Sequence, residues 1–523
     1  MTETAAADRI HRHGPSFGLL VILLLVLTAL RYWGLMVSQV ELMFDEAQYW
    51  SWSLDPAWGY FSKPPLIAWL IGGENLVCGT SEFCARSFIP AIHFGTALVI
   101  YALARRAVSP VVGFWSALVF ATLPGIAFSS KLVTTDVPLL FFWAVALYCL
   151  WTLRHRRAVG FAILLGVVVG LGLLAKYAMI YVVLCLVIWL VIDAEARRAI
   201  WKGGLFIALV IAVLILTPNI LWNVDNGLIT FLHTADNVDW NGSIIHPGKA
   251  LEFLGAQFGV FGPVPMALLL AIAVRPRLAE GVPGPAFRFI YAFSVPIVAL
   301  ILFEGLMSRA HANWAAPTYV AASILVTAVM IGRGWRWLLY LTLAIHLVLQ
   351  GAMILADSQA KTLRFPFGID FYYRALGFKD LAQAVGQEFN AGQYGAVLTD
   401  WRRVTGTLLY NLRSDPPPVV TWPHPVRAYD HYQLTRPLTD KTPEPLLLVT
   451  KCNRAARLDA AFDKWQLVDT VITKGGQRYN WIFFLIRAEG PHLGRMPTPD
   501  CEDVDGDERT IVDPATLPPI RPD

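Results

Sequence analysis

Charge is what this sequence has least of. Asp, Glu, Lys and Arg supply 15% of its 523 residues, against roughly a quarter in soluble domains, and that deficit excludes a cytosolic globular protein of this length. The two signs nearly cancel as well: 42 Lys and Arg against 38 Asp and Glu leave +4, too little and too dispersed for a nucleic-acid-binding surface. No Walker phosphate loop, dinucleotide glycine fingerprint or His/Cys metal spacing occurs, which sets aside ATP-driven transport and nicotinamide chemistry. The apolar stretches hold few charges at mid-membrane depth, which weakens ion-coupled transport.

What fills the space is apolar. Hydrophobic side chains make up 56% of the chain, with 19 Trp and 39 Gly, the composition of a polytopic helical bundle with aromatic belts and close helix contacts. A bilayer core of about 30 Å takes roughly 20 apolar residues per helix, and about eleven such runs occur between residues 17 and 355. Arg9 and Arg12, Arg105 and Arg106, Arg154 with Arg156 and Arg157, Arg197 and Arg198, Arg275 and Arg277, and Arg333 and Arg336 fall in alternate connections. Cationic loops are retained on the cytoplasmic side, so the N-terminus is expected inside and the C-terminal region outside. The run from Phe17 leads into Arg31, Tyr32 and Trp33 with no small-residue cleavage pattern, and is expected to stay as the first helix.

Three divisions follow. Residues 1–356 read as a transmembrane domain whose first outward loop, about 36–85, is too long for a turn. Residues 357–490 read as a small periplasmic α/β domain, with strands expected at Gly395–Thr399 and Leu446–Thr450 and a helix over Lys379–Glu388. Residues 491–523 read as a disordered tail. Cys149 and Cys185 lie inside predicted helices; Cys78 with Cys84, and Cys452 with Cys501, lie where an oxidising compartment permits bridges, and the sequence leaves both pairings open.

Ionisable residues at outward helix ends are the informative ones, because charge near a bilayer is costly and is commonly kept for function. Asp45 and Glu46 follow the first helix, and Tyr60-Phe61-Ser62-Lys63-Pro64-Pro65 follows them. A possible base and a possible phosphate-binding cation thus share one segment, although a solvated loop with Asp45 as a helix cap explains the spacing equally well. Asp136 opens a helix just ahead of Pro138 and suits a cap. Lys176 interrupts Leu173-Leu174-Ala175, where snorkelling to lipid phosphate is the simplest account. Arg309, His311 and Asn313 lie together between two further helices. Asn219, Trp222, Asn223 and Asp225 fit capping as well as substrate hydrogen bonding. Taken together, outward carboxylates and cations at several helix ends suggest one polar site for an anionic, lipid-borne substrate.

In combination and in this order, Asp45-Glu46 with Tyr49-Trp50, Tyr60-Phe61-Ser62-Lys63-Pro64-Pro65-Leu66, Thr135-Asp136-Val137-Pro138-Leu139 and His311-Ala312-Asn313-Trp314-Ala315-Ala316-Pro317 resemble the GT-C glycosyltransferases that use polyprenyl-phosphate sugars. The relatives in view are protein O-mannosyltransferases, aminoarabinose transferases of lipid A, and galacturonosyltransferases of lipopolysaccharide core and lipid A. The resemblance implies a GT-C fold and transfer of a sugar, with inversion, from a polyprenyl-phosphate donor to a lipopolysaccharide, lipid A or other envelope glycolipid acceptor among the membrane lipids. It implies Asp45 as the leading catalytic carboxylate with Glu46 and Asp136 in support, and Lys63, Lys176, Arg309, His311, Tyr60 and Asn313 as substrate- or phosphate-binding residues. The aminoarabinose transferases carry a metal-binding Glu where this chain has Ser62, which argues against a divalent metal and against aminoarabinose as the sugar; no cofactor is expected. Three readings compete: a protein acceptor, a lipid-linked-sugar flippase with no transfer activity, and a structural scaffold with an outer binding domain, in which Asp45, Lys63 and Asp136 could all be replaced without effect. A flippase should tolerate Asp45→Asn.

Overall fold

The computed structural model describes residues 15–238, 245–364, 371–477, 479–499, 501 and 509–518. The chain divides into two compact units. One holds residues 1–36 with 63–355, the other residues 37–62 with 356–523. The loop expected at about 36–85 is therefore split: the portion before Lys63 folds with the C-terminal residues, a long-range association that no local pattern in the sequence reports.

The helical unit is that of a multi-pass membrane protein. Among the described residues, six helices are long and apolar enough to cross a bilayer: Phe17–Val37, Glu82–Ala107, Asp136–His155, Lys202–Asp225, Gly284–Met307 and Arg336–Ser358. Leu66–Val77, Pro110–Thr122, Val159–Ala175, Tyr177–Ile192, Pro263–Val274 and Thr318–Gly332 are shorter and equally apolar. The Gly284–Met307 span is interrupted after Ala292 and resumes at Val295, where Pro296 in the second piece's first turn cannot donate to the preceding ladder. Small residues set the closest approaches. A Cβ on Gly166 would lie 2.7 Å from the Ala208 carbonyl oxygen, so only glycine lets the Val159–Ala175 and Lys202–Asp225 helices meet there. Trp143, Trp189, Phe289 and Phe293 form the aromatic centre of the core. Arg31 is a buried cation within this unit, and its guanidinium donates to the Ala121 carbonyl and, at 3.4 Å, to Gln350 Oε1.

The second unit is α/β. Its five-stranded sheet has the order β2 (Val419–Thr421), β1 (Ala396–Thr399), β3 (Leu446–Thr450), β5 (Asn480–Pro491), β4 (Phe462–Lys474). β1 pairs in parallel with β2 and β3; β5 runs antiparallel to β3 and β4. Every residue of β1 and β3 is buried, as a near-continuous apolar run in a two-sided sheet requires. One face packs Val397, Leu447, Phe483 and Leu485 against Leu381, Val385 and Leu408, the other packs Leu398, Leu448, Phe484 and Ile486 against Trp422 and Leu458. The two runs expected as strands are β1 and β3, and the expected helix extends over Phe378–Gly392. The β4–β5 hairpin was not foreseen.

The expectation of a disordered tail from 491 meets a different finding in its described residues. Cys501 is disulfide-bonded to Cys452, Asn453 exchanges two hydrogen bonds with the Val512 backbone, and Arg509 pairs with Asp459. A polar, Pro-rich segment that cannot form a core of its own is held here by a covalent bond and by hydrogen bonds to the sheet unit. Cys78 and Cys84 are also bridged.

Segment 37–62 is built into this unit. The Glu41 carboxylate accepts from the backbone N–H groups of Phe378 and Lys379 at 3.0 and 3.1 Å, supplying acceptors to the first turn of the Phe378–Gly392 helix. The Phe44–Ser53 and Arg402–Asn411 helices come together at Gly406, where a Cβ would sit 2.8 Å from Tyr432 Oη.

Candidate active site

Two constellations emerge, one in each unit. In the helical unit Asp136 is the first residue of the Asp136–His155 helix, and Lys176 is the residue that ends the Val159–Ala175 helix. A carboxylate at a helix N-terminus and a cation at a helix C-terminus each complement the backbone dipole, so the sequence places both charges at favourable ends. Lys176 Nζ lies 2.7 Å from Asp136 Oδ1, with side-chain exposures of only 15% and 10%. Asn313, in the short 3₁₀ turn Ala312–Ala315, donates its amide to Asp136 Oδ2 at 2.8 Å. The N-cap position is Thr135, whose side chain makes no cap bond, and both Asp136 carboxylate oxygens are engaged by side chains from elsewhere. Lys176 is therefore held by an ion pair rather than directed to lipid phosphate.

His311 is exposed beside Asn313, edge-on to Trp314 with ring centroids 5.1 Å apart. Its pKa is lowered first by burial, then by the positive charges of Arg309, Lys176 and Lys63. All three cations thus act electrostatically on one imidazole. Asn219 and Asn223 are fully buried: Tyr177 Oη donates to Asn219 Oδ1 at 2.8 Å, and Asn223 Oδ1 accepts from the Thr230 N–H. Their polar groups are used in joining helices, which accounts for these asparagines without a substrate.

In the α/β unit Asp45 is 45% exposed and its Oδ1 lies 3.3 Å from Arg402 Nη1, while the same guanidinium nitrogen reaches Gln48 Oε1 at 3.2 Å. Glu46 points away from that exposed carboxylate. It is 2% exposed and its Oε2 accepts from the Met43 backbone N–H at 2.9 Å, closing the first turn of its helix. Tyr60, expected to touch substrate, is also 2% exposed. Its hydroxyl donates to the Trp52 carbonyl at 2.9 Å and accepts from the Ala57 N–H at 3.1 Å, and its ring stacks on Trp52 at 4.5 Å with His431 edge-on to both. These contacts give Glu46 and Tyr60 structural work that leaves little surface for a ligand. Among the described residues no group of three or more His, Cys, Asp or Glu side chains converges as a metal site.

The comparisons with known proteins bear on this arrangement. The profile of the dolichyl-phosphate-mannose-protein mannosyltransferase family matches residues 62–222, the stretch that carries Lys63, Asp136 and Lys176. The lipid A galacturonosyltransferase RgtD of Rhizobium johnstonii is 35% identical over 402 residues, which cover 76% of this chain and 83% of that one. The chain belongs to the GT-C glycosyltransferases. A second relative of this glycosyltransferase, the lipopolysaccharide core galacturonosyltransferase RgtA of the same organism, is 25% identical over 56% of this chain and 61% of its own. ArnT from Cupriavidus metallidurans, in its crystal structure bound to undecaprenyl phosphate, superposes with a TM-score of 0.61 at 16% identity, covering 90% of this chain and 98% of that one. Likeness at that identity speaks for the fold.

Reading the sequence alone missed Arg402 and His431. Arg402 follows β1 in the run Asp400-Trp401-Arg402-Arg403. A pair of cations beside a Trp at the end of an apolar run was a visible signal. Its pairing with Asp45, 357 residues away, was not.

Proposed function

We propose that this glycosyltransferase moves a sugar from a polyprenyl-phosphate donor to a lipid A or other lipopolysaccharide acceptor on the periplasmic face of the inner membrane, without a metal. The observation that carries the reading is the 35% identity, across most of both chains, to a lipid A galacturonosyltransferase. Galacturonic acid or a related hexose is the sugar it favours, and Ser62 in place of a metal-binding Glu weighs against aminoarabinose.

In the proposed chemistry the acceptor hydroxyl oxygen attacks the anomeric carbon as the bond from that carbon to the phosphate oxygen breaks, so the configuration inverts in a single displacement. The hydroxyl proton passes to a carboxylate. Asp45 is the leading candidate, and Arg402 and Gln48 fix its orientation. Negative charge grows on the departing polyprenyl phosphate, where Lys63 and Arg309 are the cations assigned to stabilise it. Asp136 and Asn313 hold Lys176 in place, and the lowered pKa of His311 leaves that imidazole a neutral hydrogen-bonding partner near neutral pH.

A protein acceptor is the second reading, favoured by the mannosyltransferase profile over residues 62–222. Purified protein in liposomes with a polyprenyl-phosphate sugar and either lipid A or an unstructured Ser/Thr peptide separates the two. A sugar-sized mass increment on the lipid supports the proposal, and an increment on the peptide alone replaces it.

A further inference from the structure

The α/β unit gathers cations that its carboxylates do not neutralise. Arg403 lies 4.3 Å above the Phe44 ring and 4.8 Å above Trp401; Lys451 Nζ lies 4.5 Å above Trp401 and 4.7 Å above Trp481. Arg402 covers the same Phe44 ring at 5.1 Å, and Arg374 covers Tyr373 at 5.3 Å. The rings are continuous: centroids are 5.6 Å apart for Trp401 and Trp481, 4.7 Å for Trp481 and Tyr479, and 5.1 Å for Tyr479 and Tyr373. Two carboxylates face this band. Asp45 is paired with Arg402. Asp400, which faces Lys451, already accepts from Arg457 at 2.9 Å and from the Thr450 hydroxyl. Among the described residues Arg403 and Lys451 form no ion pair. Ring faces contribute only about 0.5–1 kcal/mol per exposed cation, and they do not remove repulsion between neighbouring positive groups.

That repulsion adds to burial in shifting both groups. Burial, then Arg374 and Arg402, lower the pKa of Arg403; burial, then Arg403, lower that of Lys451. An incoming anion would relieve the repulsion. Beside Lys451 there is room for one. A cavity of about 330 Å³ is lined by Lys451, Asn453, Tyr479, Trp481 and Leu517, within the range of roughly 300–1,000 Å³ usual for small-molecule sites. Its wall is fixed, because the Asn453 side chain is bonded at both ends to the Val512 backbone. Aromatic rings offer flat apolar faces to the C–H surface of a sugar ring, while an ammonium and a guanidinium select for charge.

We propose that Arg403, Lys451 and the adjoining aromatic cavity form a recognition site for an anionic saccharide, a sugar unit bearing phosphate or carboxylate. The site deepens the function proposed above and rests on it for its role, which is to hold the charged headgroup of the acceptor while transfer takes place elsewhere on it.

The test uses the full chain purified in detergent, with glucose 1-phosphate, galacturonic acid, glucose and inorganic phosphate as probes, read by saturation-transfer NMR and tryptophan fluorescence. The two charged sugars should bind, glucose should not, and inorganic phosphate should bind more weakly than glucose 1-phosphate. Lys451→Gln and Arg403→Gln should each weaken binding tenfold or more and raise the acceptor KM with kcat little changed; Lys451→Arg should restore both. Lys451 is exposed, so its variant reports on binding even if Arg403→Gln lowers the unfolding midpoint. Equal binding of glucose, equal binding of inorganic phosphate, competition by phosphatidylglycerol vesicles as effective as by the charged sugars, or variants without effect would each overturn the site. Transfer assayed on the same samples separates the two readings. A wild-type enzyme that transfers normally while Lys451→Gln changes nothing refutes the saccharide site alone, whereas charged-sugar binding without any transfer refutes the transfer reading.

Discussion

Replacing Lys176 by Met should destabilise the helical unit far more than loss of a surface ion pair. Exposed pairs are worth about 0–1 kcal/mol. Lys176 and Asp136 are 2.7 Å apart with side-chain exposures of 15% and 10%, and removing one partner of such a buried pair leaves an uncompensated charge at a cost of about 3–5 kcal/mol. Two features soften that cost. Asn313 still donates to Asp136 Oδ2, and the N-terminus of the Asp136–His155 helix returns on the order of 1 kcal/mol. A net loss of about 2–4 kcal/mol follows for Lys176→Met. Asp136→Asn should cost a similar amount. The double variant, with no buried charge left over, should cost no more than either single variant, so the coupling energy in a double-mutant cycle is at least one single loss, about 2–4 kcal/mol. Apparent unfolding midpoints in matched detergent micelles measure all four forms. Lys176→Met within about 0.5 kcal/mol of wild type, or strictly additive effects, would refute the reasoning, since distant independent sites behave in that way.

Asp45→Ala should lower transfer a hundredfold or more, the scale of losing a positioned general base, with the unfolding midpoint little changed because the side chain is 45% exposed; near-normal turnover ends its assignment. Burial holds His431 at about 4, with Arg436 adding to the effect. The unfolded chain binds a proton near 6.5 that the folded chain refuses, so this contribution is full above pH 6.5 and fades as pH falls toward 4, by up to about 3 kcal/mol. Thermal melts of wild type and His431→Gln over that window should converge as pH falls, and parallel curves would contradict it. Cys452→Ser should lower stability by up to about 4 kcal/mol, because its disulfide closes a loop with a sequence separation of 49; equal midpoints with and without reductant in the wild type would show that the bridge does not constrain the unfolded chain.

The sequence was most informative where chemistry and local pattern coincide. Apolar runs of bilayer length located the helical unit, and β1 and β3 stood out because buried strands are continuous runs of Val and Leu. β4 escaped because its residues alternate between exposed and half-buried positions without a clean period. Asp136 and Lys176 were legible as charges at helix ends, yet their pairing joins residues 40 apart and depends on how two helices pack. The Asp45-Glu46 pair was legible as a leading and a supporting acid, but not that successive helix positions point in different directions, so that one carboxylate meets Arg402 and the other turns back to its own first turn. Segment 37–62 joined the C-terminal unit through Glu41, Gly406 and Tyr432, contacts that pair residues hundreds of positions apart.

Mass spectrometry of total lipids and lipopolysaccharide decides whether a sugar is transferred to an envelope glycolipid. Three strains are needed: one with the gene, one without it, and one carrying Asp45→Asn. Loss of one sugar-sized mass from the same glycolipid is expected in both altered strains. An unchanged glycolipid profile in the strain without the gene would contradict the proposed transfer.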